Sequence, residues 1–339
     1  MKRLIYFILT VCCGLAVMSC KHNENSITEP EFHRNETLTH ELMSLQRITN
    51  PMRLEISHPF LIIQNRGRND SLFHIYDLRN GELTSVFGRR GQGPDDFLTP
   101  WLQNTQTPGF LISERSRVHH FVINEEGTPH LNTKTNIQFM GGVLNSSFIN
   151  DTLFVTDAWE INSDLLLLSV HDELPQKTYP FRTPSGMRDP NLDTNSAFIS
   201  ANEKRVVLFY NWQKRIDILD TDLDLVKSIQ FDFPRSRRIT PQNMLDVRGA
   251  FILGYVGEKY IYALFRGISL NEFMADPHKH NNTLYVFDLD GNPVVSFELD
   301  GIGIGHFVVN EETFTLYGIP SGQIIEDHLV VFQLTGLGQ

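Results

Sequence analysis

The stretch VFGRRGQGPDDFLTPW, residues 86–101, joins two runs of the chain that are typical of β-strands. Gly88, Gly91, Gly93 and Pro94 favour a sharply bent backbone. Glycine adopts positive φ without strain, and proline fixes φ near about −65°. Because Arg89 and Arg90 cannot be buried without partners, the stretch is predicted to be a shaped loop that faces solvent. Similar loops recur after later groups of strands.

Pairs of short β-branched and aromatic runs recur along the whole chain, while long helical periodicity is nearly absent. The first pair is FLIIQNR (60–66) and LFHIYDL (72–78), and five further pairs follow. In the first five pairs, the ends of the second runs are spaced by 47, 47, 49 and 68 residues. Most pairs have one more short run on each side, so each unit has four strands. Six such units predict an all-β fold, a six-bladed β-propeller.

The sixth unit has only three strand-like runs, and a spare run precedes the first unit. The spare run is ETLTHELM, residues 36–43. Pairing it with the last unit would close the ring and remove an exposed sheet edge. We therefore expect the N-terminal strand to complete the last blade.

The N-terminus has the features of a secretory signal. Lys2 and Arg3 precede a short apolar run that ends in small residues. The Val-Met-Ser sequence before Cys20 resembles the lipobox of bacterial lipoproteins, in which the cysteine is acylated and becomes the mature N-terminus. This predicts a signal peptide at 1–19, a lipidated flexible tether at 20–35 and the propeller at 36–339. Lys21 replaces the aspartate that retains lipoproteins in the inner membrane, so the resemblance implies an outer-membrane lipoprotein of the cell envelope, facing the periplasm or the surface.

Composition excludes several classes of function. The chain has 29 Lys and Arg against 40 Asp and Glu, a net charge of −11, which argues against nucleic-acid binding. Of its three cysteines, two lie in the signal and one is the lipidated position, so the mature domain has no thiol for a disulfide or a thiolate metal site.

The lipobox, the six strand groups and the loop FGRRGQGPDDF (87–97) together resemble a known family. They are similar to the TolB-like six-bladed β-propeller lipoproteins of Bacteroidetes-type bacteria, in which an FG-x-x-GxGP-x-x-F loop follows the first blade. The resemblance covers nearly the whole mature chain. It implies the fold and the envelope location rather than a particular activity.

The longer predicted loops all fall on one face of the propeller, and binding sites lie preferentially on such loops. Arginines next to aromatic residues on this face fit carboxylate, sulfate or phosphate groups, because the guanidinium fork binds them bidentately. We therefore expect a non-catalytic module that binds an envelope protein, an anionic small ligand or a glycan on this face, without a cofactor. Equally, these arginines could pair with nearby aspartates and only stiffen the loops. The candidate ligand-binding residues are Arg89, Arg90, Gln92, Arg115, Trp159, Trp212 and Arg266.

An alternative is a metal-dependent hydrolase or lyase with its ligands in the central channel. Amides and carboxylates at the predicted inner strands suit calcium. A purely structural envelope component is a third hypothesis. The candidate channel ligands are Asn104, Asn145, Asn202 and Glu258, with His306 beside them.

Overall fold

A computed structural model gives the fold. It describes residues 29–48, 50–66, 71–93, 96–103, 109–114, 116–139, 146–157, 164–181, 195–233, 239–276, 282–321 and 327–338. The described residues form six sheets arranged in a ring, five of four strands and one of five strands. The predicted six-bladed β-propeller is confirmed.

The first three blades follow two N-terminal strands, β1 (Asn35–Leu38) and β2 (Glu41–Ser44). Blade 1 consists of β3 (Pro51–Ser57), β4 (Phe60–Asn65), β5 (Phe73–Asp77) and β6 (Glu82–Phe87). Two short strands follow it, β7 (Arg89–Arg90) and β8 (Asp96–Phe97). Blade 2 consists of β9 (Trp101–Gln103), β10 (Phe110–Glu114), β11 (Arg117–Ile123) and β12 (Pro129–Asn136). Blade 3 consists of β13 (Ser146–Phe148), β14 (Leu153–Asp157), β15 (Leu165–Ser169) and β16 (Lys177–Tyr179).

The second half of the ring carries the one described helix. Blade 4 consists of β17 (Ala197–Ala201), β18 (Val206–Tyr210), β19 (Arg215–Leu219) and β20 (Leu225–Gln230). Blade 5 consists of β21 (Phe251–Val256), β22 (Tyr260–Phe265), α1 (Leu270–Ala275), β23 (Asn282–Asp288) and β24 (Pro293–Leu299). Blade 6 consists of β25 (Gly303–Asn310), β26 (Thr315–Ser321) and β27 (His328–Gln333). Within the described residues, no helix is long and apolar enough to cross a membrane.

The hydrophobic core is divided among the interfaces between blades. Each of six buried clusters joins two neighbouring blades. In β18, Val206 and Leu208 pack towards blade 3, while Val207 and Phe209 pack towards blade 5. A middle strand is therefore covered on both faces, which explains its continuous apolar sequence. The outer strand β6 instead alternates between exposed and half-buried residues.

The N-terminal segment closes the ring as predicted, but it forms two strands rather than one. β2 pairs antiparallel with β27 and so completes blade 6. β1 pairs parallel with β24 and adds a fifth strand to blade 5. The predicted run 36–43 is divided between two sheets because Asp300 fastens its middle: the Asp300 N–H donates to the Leu38 carbonyl (3.0 Å), and the Asp300 carboxylate lies 2.6 Å from His40 Nδ1.

Contacts of the N-terminal segment with the blades already begin upstream of residue 36. The Phe32 ring packs against Tyr285 and Phe287 of blade 5, with ring centroids 5.1 and 5.3 Å apart. The Arg34 guanidinium donates to the carbonyls of Thr335 and Gly336, at 2.7 and 2.8 Å. The predicted signal peptide and most of the predicted tether lie outside the described residues.

The loop between blades 1 and 2 depends on its glycines for its shape. Gly88 has φ of +75°, and a Cβ there would lie 2.9 Å from the Phe73 ring. The Gly93 N–H donates to the Asp96 carboxylate at 2.9 Å. These contacts hold β7 and β8 together as a small parallel pair at the face from which the long loops emerge.

We predict that removal of the closing strands is strongly destabilising and can be reversed by supplying them as a peptide. A chain that begins at residue 45 lacks β1 and β2, so the outer edges of β24 and β27 lose their partners and Leu38 and Met43 lose their packing. The expected loss is on the order of 5 kcal/mol in the free energy of unfolding. Urea unfolding measures it.

A chain that begins at residue 29 is the matched control and should match the full-length protein. Adding a synthetic peptide of residues 29–44 should restore the midpoint of the shorter chain, whereas a scrambled peptide should not. Equal midpoints for the two truncated chains would contradict this account of ring closure.

Candidate functional site

Three neighbouring inner strands are irregular near the same end. β21, β25 and β3 are the innermost strands of blades 5, 6 and 1, and each shows a break in pairing register. The residues skipped by the pairing are Ile252, Gly305 and Met52. Such β-bulges bend a strand and redirect the following side chains, and they are common beside functional sites. These bulges bend the three inner strands where they lie beside the axis of the ring.

Two charged residues follow the bulge in β3. Side chains alternate along a strand, so Arg53 and Glu55 share one face while Leu54 points to the other. Leu54 is 0% exposed and packs in the cluster between blades 1 and 6. Arg53 and Glu55 are half-buried, and they face away from that cluster. No ion pair within 4.0 Å joins them, and in the described part of the chain the Glu55 carboxylate accepts no hydrogen bond.

The Arg53 guanidinium is held by blade 2. It lies over the Trp101 ring, 3.8 Å from the centroid, and donates to the Leu102 carbonyl at 3.3 Å. Gln64 of β4 fixes the backbone on both sides of Trp101: its amide donates to the Pro100 carbonyl (2.7 Å) and accepts from the Leu102 N–H (2.9 Å). Gln64 is therefore a positioning residue for the surface on which Arg53 stacks.

Two further polar side chains reach the same region from blades 5 and 6. His306 follows the bulge at Gly305, and its Nδ1 accepts a hydrogen bond from the Leu54 N–H at 3.4 Å. The neutral ring therefore carries its proton on Nε2. Tyr255 of β21 is half-buried and close enough to Glu55 to interact with it electrostatically. We call Arg53, Glu55, Trp101, Tyr255 and His306 the axial cluster.

Burial dominates the electrostatics of this cluster. It raises the pKa of Glu55 to about 8, against the opposing effect of the Arg53 charge. It lowers the pKa of Arg53 to about 10 and that of His306 to about 3, the latter also disfavoured by Arg53. The pKa of the Tyr255 hydroxyl is raised by burial and then by Glu55. At neutral pH the cluster thus carries one positive charge, on Arg53.

The predicted loop-face residues are divided between opposite parts of the ring. Arg89, Arg90 and Gln92 lie on the loop after blade 1 and are exposed. Among the described residues Arg89 and Arg90 form no ion pair, and the neighbouring Asp95 lies outside the described residues.

Trp212 and Arg266 lie together at blades 4 and 5. The Ala250 N–H donates to the Asn211 carbonyl and the Arg266 N–H donates to the Ala250 carbonyl, which places the segments of Trp212 and Arg266 side by side. The Arg266 guanidinium lies 4.7 Å from the centroid of the Phe273 ring of α1, and its buried Nε has no hydrogen-bond partner among the described residues. Burial lowers its pKa. Arg115 and Trp159 lie outside the described residues.

The candidate channel ligands have other surroundings. The buried Asn202 amide closes a turn, since it accepts from the N–H groups of Lys204 and Arg205 (both 2.8 Å) and donates to the Gly257 carbonyl (2.6 Å). Glu258 is exposed in the turn between β21 and β22. Asn104 and Asn145 lie outside the described residues. Within the described ranges, no group of three His, Cys, Asp or Glu side chains is arranged to hold a metal ion.

Sequence reasoning missed four of the five residues of the axial cluster. One signal was available: RLE at 53–55 places two charges on one face of the short run before the first strand pair, which is an innermost strand of the predicted propeller. The neighbouring blades cover both faces of a blade with apolar side chains. Charged side chains of an innermost strand are therefore expected to turn towards the channel.

The fold and this cluster define a small propeller with a polar axial site, and comparison with known proteins gives its family. Residues 29–312 match the family model described as TolB-like 6-blade propeller-like. The chain belongs to this family. A search of the curated proteins gives no significant match.

One solved structure of low sequence identity shares the fold, and two others show weaker similarity. A DUF4221 family member from Bacteroides vulgatus is 12% identical, with a TM-score of 0.57 over 91% of this chain and 98% of that one. Raptor from Chaetomium thermophilum is 9% identical, with a TM-score of 0.49 over 90% of this chain, which spans only 29% of the Raptor chain. A streptogramin B lyase is 10% identical, with a TM-score of 0.46 over 87% of this chain and 97% of that one.

We predict that Glu55 makes stability depend on pH in the direction opposite to that of a salt-bridged acid. Its folded pKa of about 8 exceeds the ordinary value of 4.5, so the folded state holds a proton that the unfolded state has lost. The free energy of unfolding should therefore fall between about pH 5 and pH 8, by at most about 1.4 kcal/mol per pH unit. Urea unfolding of wild type and Glu55→Gln at pH 5, 6, 7 and 8 measures the difference.

Glu298→Gln, which changes an exposed carboxylate on β24, is the matched control and should track the wild type at every pH. A constant difference between wild type and Glu55→Gln from pH 5 to pH 8 would show that the Glu55 pKa is not raised.

Proposed function

We propose that this protein is a lipid-anchored cell-envelope module that binds a small anionic ligand, without catalysis, in its axial channel. The observation that carries the proposal is that the Arg53 and Glu55 side chains lie on the same face but do not pair with each other. They share a face of an inner strand, lie deep in the fold and form no ion pair with each other within 4.0 Å. An arginine and a carboxyl on one face of a strand normally pair with each other, so their lack of pairing here supports a ligand between them.

The charge of the cluster favours an anion. Arg53 is the only charged member at neutral pH, because burial keeps Glu55 protonated and His306 and Tyr255 neutral. Stacking on Trp101 fixes the plane of the guanidinium, so little side-chain freedom is lost on binding. The axial cluster thus resembles a pre-organised anion site more closely than the exposed arginines of the loop face do.

We predict that ligand binding depends on Arg53 and not on the loop arginines. A chain of residues 29–339 is screened by thermal shift and ligand-detected NMR against small anions, neutral glycans and peptides. Anions that stabilise the wild type should not stabilise Arg53→Gln, and they should bind Arg53→Lys at least about tenfold more weakly, because lysine lacks the planar fork. Circular dichroism verifies folding of both variants.

The double variant Arg89→Ala/Arg90→Ala is the matched control and should bind as the wild type does. Loss of binding in this control, with binding retained in Arg53→Gln, would transfer the site to the loop face. Failure of every anion to bind the wild type would contradict the proposal.

The lipid anchor rests on the charged N-terminus, the short apolar run and Cys20 in its lipobox-like setting. We predict that Cys20→Ala abolishes incorporation of labelled palmitate and releases the protein from the membrane fraction of a bacterium that processes lipoproteins. Cys13→Ser, which changes a cysteine inside the apolar run, should leave both unchanged. Undiminished labelling of Cys20→Ala would refute the anchor.

A further inference from the structure

We infer, on the basis of the proposed function, that the axial site takes a small monocarboxylate: one carboxylate oxygen pairs with the Arg53 guanidinium and the other accepts a hydrogen bond from the protonated Glu55 carboxyl. The inference rests on the spacing of these two groups, on the donors around them and on the charges beyond them.

The spacing of Arg53 and Glu55 fits a bridging carboxylate. Positions i and i+2 of a strand are about 6.6 Å apart, and both residues lie in the regular part of β3, after its bulge. A carboxylate between two donors needs two hydrogen bonds of about 2.8 Å, one on each side. A direct ion pair would leave no room for it, and none is present within 4.0 Å. The two side chains therefore share one face of β3 without a direct ion pair, which is the arrangement that a bridging carboxylate requires.

The surrounding polar groups are donors. Arg53 uses one guanidinium nitrogen for the Leu102 carbonyl and has further N–H groups left. His306 Nδ1 already accepts from the Leu54 N–H, so its Nε2–H is a donor without a partner among the described residues. The Tyr255 hydroxyl is likewise without a partner there. Such a set can satisfy the lone pairs of an anion together with a nearby hydroxyl or carbonyl oxygen of the same ligand.

Charges beyond the cluster limit the ligand to one negative charge. Arg53 supplies a single positive charge, on the same strand as Glu55. Glu258 and Glu311 lie within electrostatic range of Tyr255, on the side of blades 5 and 6. Burial also raises the pKa of Glu311, whose carboxylate accepts from the N–H groups of Lys259 and Tyr260. A dianion such as phosphate above neutral pH would have only the single Arg53 charge of the cluster to balance its two negative charges.

Because Glu55 must hold a proton to donate to the ligand, binding should take up protons in a way that depends on pH. Because the Glu55 pKa is about 8, the free protein already holds the proton at pH 6.5 and has lost most of it at pH 9. Binding of a carboxylate should then take up close to no proton at pH 6.5 and close to one at pH 9. The apparent affinity should fall about fivefold from pH 8 to pH 9, since ionised Glu55 repels the ligand. Arg53, with a pKa of about 10, keeps most of its charge over this range.

The test is titration calorimetry of the chain 29–339 with acetate, lactate, benzoate and inorganic phosphate at pH 6.5, 8 and 9. At pH 8 and 9, Tris and TAPS buffers of different ionisation enthalpy report the number of protons taken up. A carboxylate should bind the wild type with the proton signature given above and more tightly than phosphate at pH 9. Glu55→Gln keeps an N–H donor, so it should bind equally at pH 6.5 and pH 9 with no proton uptake.

The remaining outcomes separate this inference from the proposed function. Carboxylate binding with the same affinity at pH 6.5 and 9, or with proton release, would overturn the role of Glu55 while the anion site stands. Binding of phosphate alone would overturn the ligand class. No binding of any anion, or binding that Arg53→Gln leaves intact while Arg89→Ala/Arg90→Ala abolishes it, would overturn the proposed function itself.

Discussion

The pairing of β2 with β27 is the interaction on which the rest of this structure depends. In a propeller each blade is stabilised by its two neighbours, so a ring that does not close leaves two blades with an uncovered face. Here the closing strand also brings Met43 and Leu45 into the cluster between blades 6 and 1. Leu54 packs in that cluster. Because Leu54 alternates with Arg53 and Glu55, ring closure also orients the two charged side chains into the channel.

The axial cluster arises at the point where the ring closes. Its members come from blades 5, 6, 1 and 2, and the bulges at Ile252, Gly305 and Met52 are in three of these four. A regular inner strand would direct alternate side chains into the two neighbouring interfaces, where apolar residues are required. A bulge changes this direction locally, and the strand then resumes its register. At each bulge one residue lacks a partner in the neighbouring strand, and polar side chains lie near the axis as a result.

The sequence predicted those features that depend on local pattern. Runs such as RVVLFYNW (205–212) identify middle strands because both of their faces are covered, and the spare run 36–43 revealed the closure. The division of that run between two sheets was not predictable, since it depends on Asp300, far away in the chain. Four members of the axial cluster were missed for the same reason. Glu55 and His306 are some 250 residues apart, and no local signal shows that a bulge turns His306 towards blade 1.

The other buried carboxylates of this fold show what is unusual about Glu55. Asp217, 0% exposed, accepts hydrogen bonds from Tyr210, Arg215 and Ser228 at 2.6–2.9 Å. Glu114, 1% exposed, accepts from two backbone N–H groups and from Arg117. A buried acid without such bonds costs free energy, and replacement by an apolar residue would remove that cost. Asp217 and Glu114 are thus bonded within the described residues, whereas the half-buried Glu55 accepts no hydrogen bond there, which agrees with its role in the proposed ligand site.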